Sequence, residues 1–283
     1  MGVRHLYVHL PFCSSRCGYC AFVVEVGALD RRDDYLDALL AELATEGGRI
    51  GDLETVYLGG GTPTLMEPHR LVRLMDAIRP HLAPGAEVTI EANPETVDLA
   101  AFERLRDAGI TRVSLGAQSF QPDLLRALDR QATPDQVRAA FVAARQAGFA
   151  SVSIDLLFAV PGQDVAMLDA DIDEAVALGA DHVSWYELEV KPGSALARQG
   201  ATVDEDFSEE AYRRVVERLE EAGYRWYETA NFARPGHECR HSLAYWRSVD
   251  YLGVGIGAVS TVEASRWRNA PDLSGYITRV RAH

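Results

Sequence analysis

Cys13, Cys17 and Cys20 fall within the eight-residue run Cys-Ser-Ser-Arg-Cys-Gly-Tyr-Cys. Three thiolates in one short loop can hold three corners of a four-iron cluster, whereas a closed electron-transfer cluster takes four protein ligands. The remaining iron then keeps an open position, the usual mark of a catalytic rather than a structural metal site. A structural zinc site would show two Cys/His pairs, and no second pair stands at matching spacing. A disulfide framework belongs to short secreted chains with even cysteine sets, not to four cysteines in 283 residues.

Further along, Gly59-Gly60-Gly61-Thr62-Pro63 reads either as a plain turn or as a loop whose bare backbone approaches a ligand and offers it N–H groups. Glu91, in Ile-Glu-Ala-Asn-Pro, can accept paired ribose hydroxyls, or serve as a helix N-terminal charge or salt-bridge partner. Asp155 stands among Ile154, Leu156, Leu157 and Phe158, where a carboxylate needs a partner. Arg130 is expected to be that partner, a clamp for a ligand carboxylate, or a solvated surface side chain. Gln118 closes the preceding apolar run. Tyr19 and Phe22, beside Cys20, either stack on a flat ligand or belong to the core. The stretch from Tyr227 to Trp246 gathers His237, Cys239, His241, Tyr245 and Trp246. Imidazole and thiolate are haem-iron ligands and the aromatic rings offer flat faces, but a loop with solvent-facing histidines and a surface Cys239 thiol accounts for the same residue types.

The elements that must position these residues alternate. Leu6–Phe12, Thr55–Leu58, Val88–Glu91, Arg112–Gly116, Ser151–Val160 and His182–Val190 read as strands. Asp33–Glu46, Pro68–His81, Leu99–Ala108, Pro134–Ala147 and Val165–Leu178 read as helices, with Gly109, Gly148 and Gly179 placed as C-terminal caps. Six βα units imply an α/β fold with a parallel sheet and right-handed crossovers, and six suit a partial (β/α)6 barrel rather than a closed one of eight. Ligands of such sheets gather at the C-terminal ends of the strands, where Cys13, the glycine run, Glu91 and Gln118 fall. After Val190 a helix over Phe207–Ala222, a strand over Tyr224–Phe232, a glycine-rich strand or turn over Gly253–Thr261 and a helix over Leu273–Arg281 are expected. The chain thus divides into a barrel core over 1–190 and a short α+β extension over 191–283 packed on it.

Composition is that of a globular domain, with 47% hydrophobic and 25% charged residues. The net charge of −14 argues against nonspecific nucleic-acid and anionic-membrane binding. No run approaches a membrane span, no secretory signal is visible, and reduced cysteines point to the cytoplasm.

The cysteine spacing resembles the radical S-adenosylmethionine (SAM) signature. Together with Tyr-Val-His-Leu-Pro-Phe-Cys13, Gly-Gly-Gly-Thr-Pro63, Glu91-Ala-Asn-Pro, Gly-Ala-Gln118-Ser-Phe, Ile-Asp155-Leu-Leu-Phe-Ala-Val-Pro-Gly and Asn231-Phe-Ala-Arg-Pro-Gly-His, it makes the chain similar to the coproporphyrinogen-oxidase-like branch of that superfamily, in particular its HemW-type haem chaperones. The resemblance runs from Tyr7 to about Tyr276. It implies a radical SAM partial barrel, a 4Fe–4S cluster on Cys13, Cys17 and Cys20, and SAM contacts from Tyr7, Gly60 and Glu91. Tyr19, Gly61, Thr62, Gln118, Arg130 and Asp155 match positions that contact a second SAM in porphyrinogen-oxidising relatives. His241 heads a haem-linked motif, written here His-Ser-Leu-Ala-Tyr-Trp with Ser242 where relatives carry asparagine.

The resemblance also implies haem or porphyrin as ligand, a haem-acceptor protein, and an electron donor such as flavodoxin or ferredoxin. Only six residues precede Tyr7 and the chain ends at His283, so the relatives' N-terminal extension and further C-terminal domain are expected to be lacking. Three readings follow: a haem chaperone; a radical SAM enzyme that cleaves SAM to a 5′-deoxyadenosyl radical, in oxidative decarboxylation or methyl transfer; and a binding module without turnover.

Overall fold

The computed structural model describes residues 2–281. Its frame is one nine-stranded sheet: β1 (Val3–Leu10), β2 (Ile50–Gly60), β3 (Leu82–Ala92), β4 (Arg112–Gln118), β5 (Ser151–Phe158), β6 (His182–Glu187), β7 (Arg225–Trp226), β8 (Asn231–Ala233) and β9 (Leu252–Val254). The spatial order is β9-β1-β2-β3-β4-β5-β6-β8-β7. The first seven run parallel, and β8 and β7 continue the β6 edge antiparallel. No pairing joins β9 to β7 among the described residues, so the sheet is open, as six βα units predict.

Helices α1 (Arg32–Glu46), α2 (Glu67–Ile78), α3 (Leu99–Asp107), α4 (Pro122–Ala127), α5 (Pro134–Gln146) and α6 (Val165–Ala177) connect the parallel strands. α7 (Ala195–Arg198), α8 (Glu205–Glu221), α9 (Arg240–Trp246) and α10 (Leu273–Arg281) follow. The central strands are buried on both faces, which is why they read as continuous apolar runs rather than as alternation. Thr133 and Gln136 form a capping box at the start of α5, and Asp98, Asp164 and Asp204 cap α3, α6 and α8. Gly109, Gly148 and Gly179 take positive φ (104°, 89° and 73°) after α3, α5 and α6, as expected of left-handed caps.

Several expectations are corrected. The single strand expected over Tyr224–Phe232 is two short strands, β7 and β8, folded on each other. β1 stops at Leu10, and Phe12–Cys13 pairs instead with Glu25–Val26 in a separate parallel ribbon. The glycine-rich segment divides into β9, a turn, and Val259–Val262 paired with Ser265–Arg268. α4 and α9, six and seven residues long, were too short to show periodicity. Residues beyond 190 add to both edges of the same sheet: β9 pairs with β1, and α10 lies on α1 with the Tyr276 hydroxyl donating to Glu42 at 2.6 Å.

The turn that follows β4 is held from inside. Asp171 on α6, fully buried, accepts from the Ser119 hydroxyl (2.6 Å), the Phe120 N–H (2.8 Å) and Gln121 Nε2 (3.0 Å). Asp171→Ala leaves buried donors without acceptors beside Gln118 and is expected to cost about 2–4 kcal/mol. Urea denaturation measures it; a loss below about 0.5 kcal/mol, the size of an ordinary surface substitution, contradicts this role for the carboxylate.

Candidate active site

The cysteine loop is pinned at its middle. The Gly18 N–H donates to the Leu128 carbonyl at 3.0 Å, and the Gly18 carbonyl accepts from the Leu196 N–H at 2.9 Å. The Arg16 guanidinium donates to the Val24 carbonyl at 3.2 Å and closes the loop on itself. Cys13, Cys17 and Cys20 are all free and line one cavity of ≈ 520 Å³ at the C-terminal ends of the parallel strands. Among the described residues no three His, Cys, Asp or Glu side chains converge on a single ion. A cluster presents a separate iron to each thiolate, so three free thiols lining one cavity can each take one of its irons. The donor set therefore fits the 4Fe–4S group expected from the spacing.

The sulfurs have polar neighbours. The Thr62 hydroxyl donates to Cys13 Sγ at 3.7 Å and Arg130 Nη1 donates to Cys17 Sγ at 3.4 Å. Burial pushes the Cys13 thiol up to about 11 and raises that of Cys20, so in the metal-free protein both are protonated thiols at neutral pH.

Gly60, Gly61, Thr62, Glu91, Gln118, Arg130, Asp155 and Tyr19 line the same cavity, and the topology thus unites residues of four strands, β2 to β5, with the cysteine loop. Tyr7 and His241 do not line it. Tyr7 sits behind the wall, stacked on Tyr57 with ring centroids 6.3 Å apart, its hydroxyl 3.0 Å from His9 Nδ1. Phe22 is 67% exposed at the mouth and is not a core residue.

The glycine run works differently from the sequence expectation. Its N–H groups face protein acceptors: Gly60 donates to Glu91 Oε2 (3.0 Å), Gly61 to the Leu10 carbonyl (2.9 Å) and Thr62 to the Phe12 carbonyl (2.8 Å). Glycine is required here by packing. A Cβ on Gly61 would meet the Pro11 carbonyl oxygen at 2.5 Å, and Gly60 has φ +124° with a Cβ position 2.7 Å from the His9 ring. The loop carries Glu91 rather than a ligand's carboxylate.

Glu91 is held from both sides, since the Tyr57 hydroxyl donates to Oε1 at 3.0 Å. Each oxygen accepts one of these bonds and keeps further acceptor capacity in a residue that lines the cavity. Asp155 finds its partners in Ser114 (2.9 and 3.0 Å) and Ser153 (3.2 Å), and not in Arg130. Arg130 leaves the surface and donates to the Gly116 carbonyl (2.6 Å), Asn93 Oδ1 (3.2 Å) and Cys17. Gln118 ends β4 at φ +69°, where a register shift turns it into the cavity wall. Tyr57, Asn93, Ser114 and Tyr186 belong to the site but were not singled out in the sequence; for Tyr57, Asn93 and Tyr186 the one signal is position toward the C-terminal end of a parallel strand, and Ser114 shows itself only through its bond to Asp155.

Two of the candidate haem ligands in the segment from Tyr227 to Trp246, His241 and Cys239, are buried. His241 lies on α9, is 1% exposed, and has both nitrogens engaged, Nδ1 with Thr55 Oγ1 (2.7 Å) and Nε2 with the Tyr245 hydroxyl (3.0 Å). Burial lowers the ring to about 3, so it is neutral. Cys239 is not a surface thiol: it is 2% exposed, and its Sγ donates to Glu87 Oε1 at 3.6 Å.

Burial, reinforced by Asp155, raises the Glu91 carboxyl from its ordinary 4.5 to about 7. The neutral form is favoured in the fold, so Glu91's stabilising contribution is complete below about pH 4.5 and fades as pH rises through about 7. In iron-free protein, Glu91→Gln should gain roughly 2 kcal/mol over wild type between pH 5 and pH 8. Denaturant titrations at the two pH values measure this, and a pH-independent difference contradicts it.

Comparison with known proteins agrees with this site. The radical SAM superfamily matches residues 7–175. Haem chaperone HemW of Mycobacterium tuberculosis is 43% identical over 96% of this chain and 73% of its own length, and that of Bacillus subtilis is 35% identical over 98% and 76%. In structure, Escherichia coli coproporphyrinogen III oxidase (HemN), a radical SAM enzyme, superposes with a TM-score of 0.88 at 25% identity over 100% of this chain and 70% of that one. With a cluster-ready cysteine loop on an open parallel barrel and relatives of this closeness, the chain belongs to the radical SAM superfamily and, within it, to the HemW family.

Proposed function

We propose that this chain is a HemW-type haem chaperone, which binds a 4Fe–4S cluster, SAM and haem and delivers haem to an acceptor protein. The observation that carries the reading is that three free thiols line the strand-end cavity, in a chain 43% identical to a haem chaperone over 96% of its length. When bound, cluster and SAM supply one-electron reductive chemistry at the sulfonium.

The chain's own residues hold and shield that chemistry. Cys13, Cys17 and Cys20 would ligate the irons. The Gly60 N–H and Tyr57 hydroxyl fix Glu91 so that its free lone pairs face the SAM amino group or ribose hydroxyls. Tyr7 backs Tyr57 from behind the wall. Arg130 places a cation against Cys17, which favours the reduced cluster, because a positive charge beside an iron–sulfur centre raises its potential. Tyr19, Gly61, Thr62, Gln118 and Asp155 line the remainder of the cavity, where a second SAM would lie. Flavodoxin or ferredoxin is the class of electron donor, and the reducing cytoplasm is the setting that keeps such thiols free. No helix among the described residues is long and apolar enough to cross a membrane.

His241 contributes to haem binding in this reading only by releasing the Tyr245 hydroxyl, since the Tyr245 ring, 39% exposed, packs on it with centroids 4.8 Å apart.

Anaerobic reconstitution should load about four iron atoms per chain. Cys17→Ala should lose the cluster and any 5′-deoxyadenosine formed with SAM and reductant, while keeping its circular dichroism. Protein that takes up no iron under those conditions removes the radical SAM reading. In haem titrations, a Soret band no stronger than that of an unrelated acidic protein removes the chaperone reading. Tyr245→Phe frees Nε2 of His241 without changing the aromatic face, and should strengthen the Soret band several-fold while His241→Ala weakens it; an unchanged band in both takes His241 out of the haem site.

A further inference from the structure

A second cavity of ≈ 860 Å³ opens at the other end of the same strands. Arg112 and Ser151, the first residues of β4 and β5, form its floor, and the segment from Arg225 to Arg247 forms its outer wall. Four arginines and His237 line it against two carboxylates, Glu87 and Glu238, a local reversal of sign in a chain of net charge −14.

Arg112 is the residue that calls for a ligand. It is 4% exposed, and among the described residues its Nε has no hydrogen-bond partner and its guanidinium makes no ion pair. A buried cation without a partner is costly to fold. Glu87, the carboxylate whose field reaches it, is engaged elsewhere: it accepts from the backbone N–H groups of Arg240 (3.1 Å) and His241 (3.1 Å) and from the Cys239 thiol. The Tyr227 hydroxyl is likewise bound, to His182 Nε2 at 2.7 Å and the Cys239 N–H at 3.2 Å. Nearby Arg240 donates to the Gly85 carbonyl at 2.8 Å, whereas Arg247, exposed at the rim, makes no ion pair among the described residues.

We propose that this groove is an oxyanion-binding site, distinct from the cysteine cavity, in which Arg112 receives the carboxylate or phosphate of a small molecule and Arg247 assists from the rim. A planar guanidinium fork with a free Nε and no ion-pair partner suits either group bidentately. The site stands apart from the haem reading, and its test needs neither iron nor haem.

Calorimetric titration of the full 283-residue chain with citrate and with inorganic phosphate tests it. Wild type should bind at least one of the two, with affinity falling about tenfold or more in Arg112→Met and several-fold in Arg247→Ala. Binding of citrate alone assigns the site to carboxylates, and of phosphate alone to phosphate esters. Without any anion, Arg112→Met should unfold at the same or a higher denaturant midpoint than wild type, because an unpaired buried charge has been removed. The proposal is overturned if wild type binds neither anion, if all three proteins bind equally, or if Arg112→Met is destabilised and Arg247→Ala leaves affinity unchanged.

Discussion

Three adjacent backbone N–H groups hold the candidate active site together. Gly60 donates to the Glu91 carboxylate, Gly61 to Leu10 and Thr62 to Phe12, and the ends of β1, β2 and β3 are thereby tied to one loop. That loop in turn supports the first cysteine through the Thr62 hydroxyl. Because a Cβ at Gly60 or Gly61 would collide with His9 or Pro11, the approach of these segments depends on glycine. Without it, Cys13 and Glu91 would not face one cavity.

Electrostatics follow from that closure. Glu91 and Asp155 are two carboxylates in one buried space, and each is satisfied by neutral donors rather than by a cation: Tyr57 and a backbone N–H for one, Ser114 and Ser153 for the other. Both carboxyls are consequently raised, by burial first. The cation that might have paired with them, Arg130, is directed to a carbonyl, an amide oxygen and a sulfur. The cavity therefore keeps acceptors for a cationic ligand on one wall and a positive charge beside the thiols on the other.

The segment from Tyr227 to Trp246 has a structural task at the other end of the sheet. His241 and Cys239 are buried against Thr55 and Glu87, and the resulting wall leaves Arg112 enclosed but unpaired. Residues that look like metal or haem ligands by type are engaged here in packing and hydrogen bonds, while a strand arginine keeps a buried Nε without a partner.

The sequence by itself determined the cluster loop, the βα alternation and the identity of most cavity residues. Local spacing sets cysteine geometry, and apolar periodicity with proline and glycine punctuation sets element order. Helix caps such as Gly109 and Gly148 were legible for the same reason, being short-range. The tertiary structure alone decided the directions of long side chains and N–H groups: Arg130 toward Cys17, Asp155 toward serines, the glycine loop inward, and His241 away from solvent. It also decided that β9 joins β1 across the whole length of the chain. These contacts join residues tens to hundreds of positions apart, and the partner of a buried polar group depends on which element lies against it, which no local pattern records.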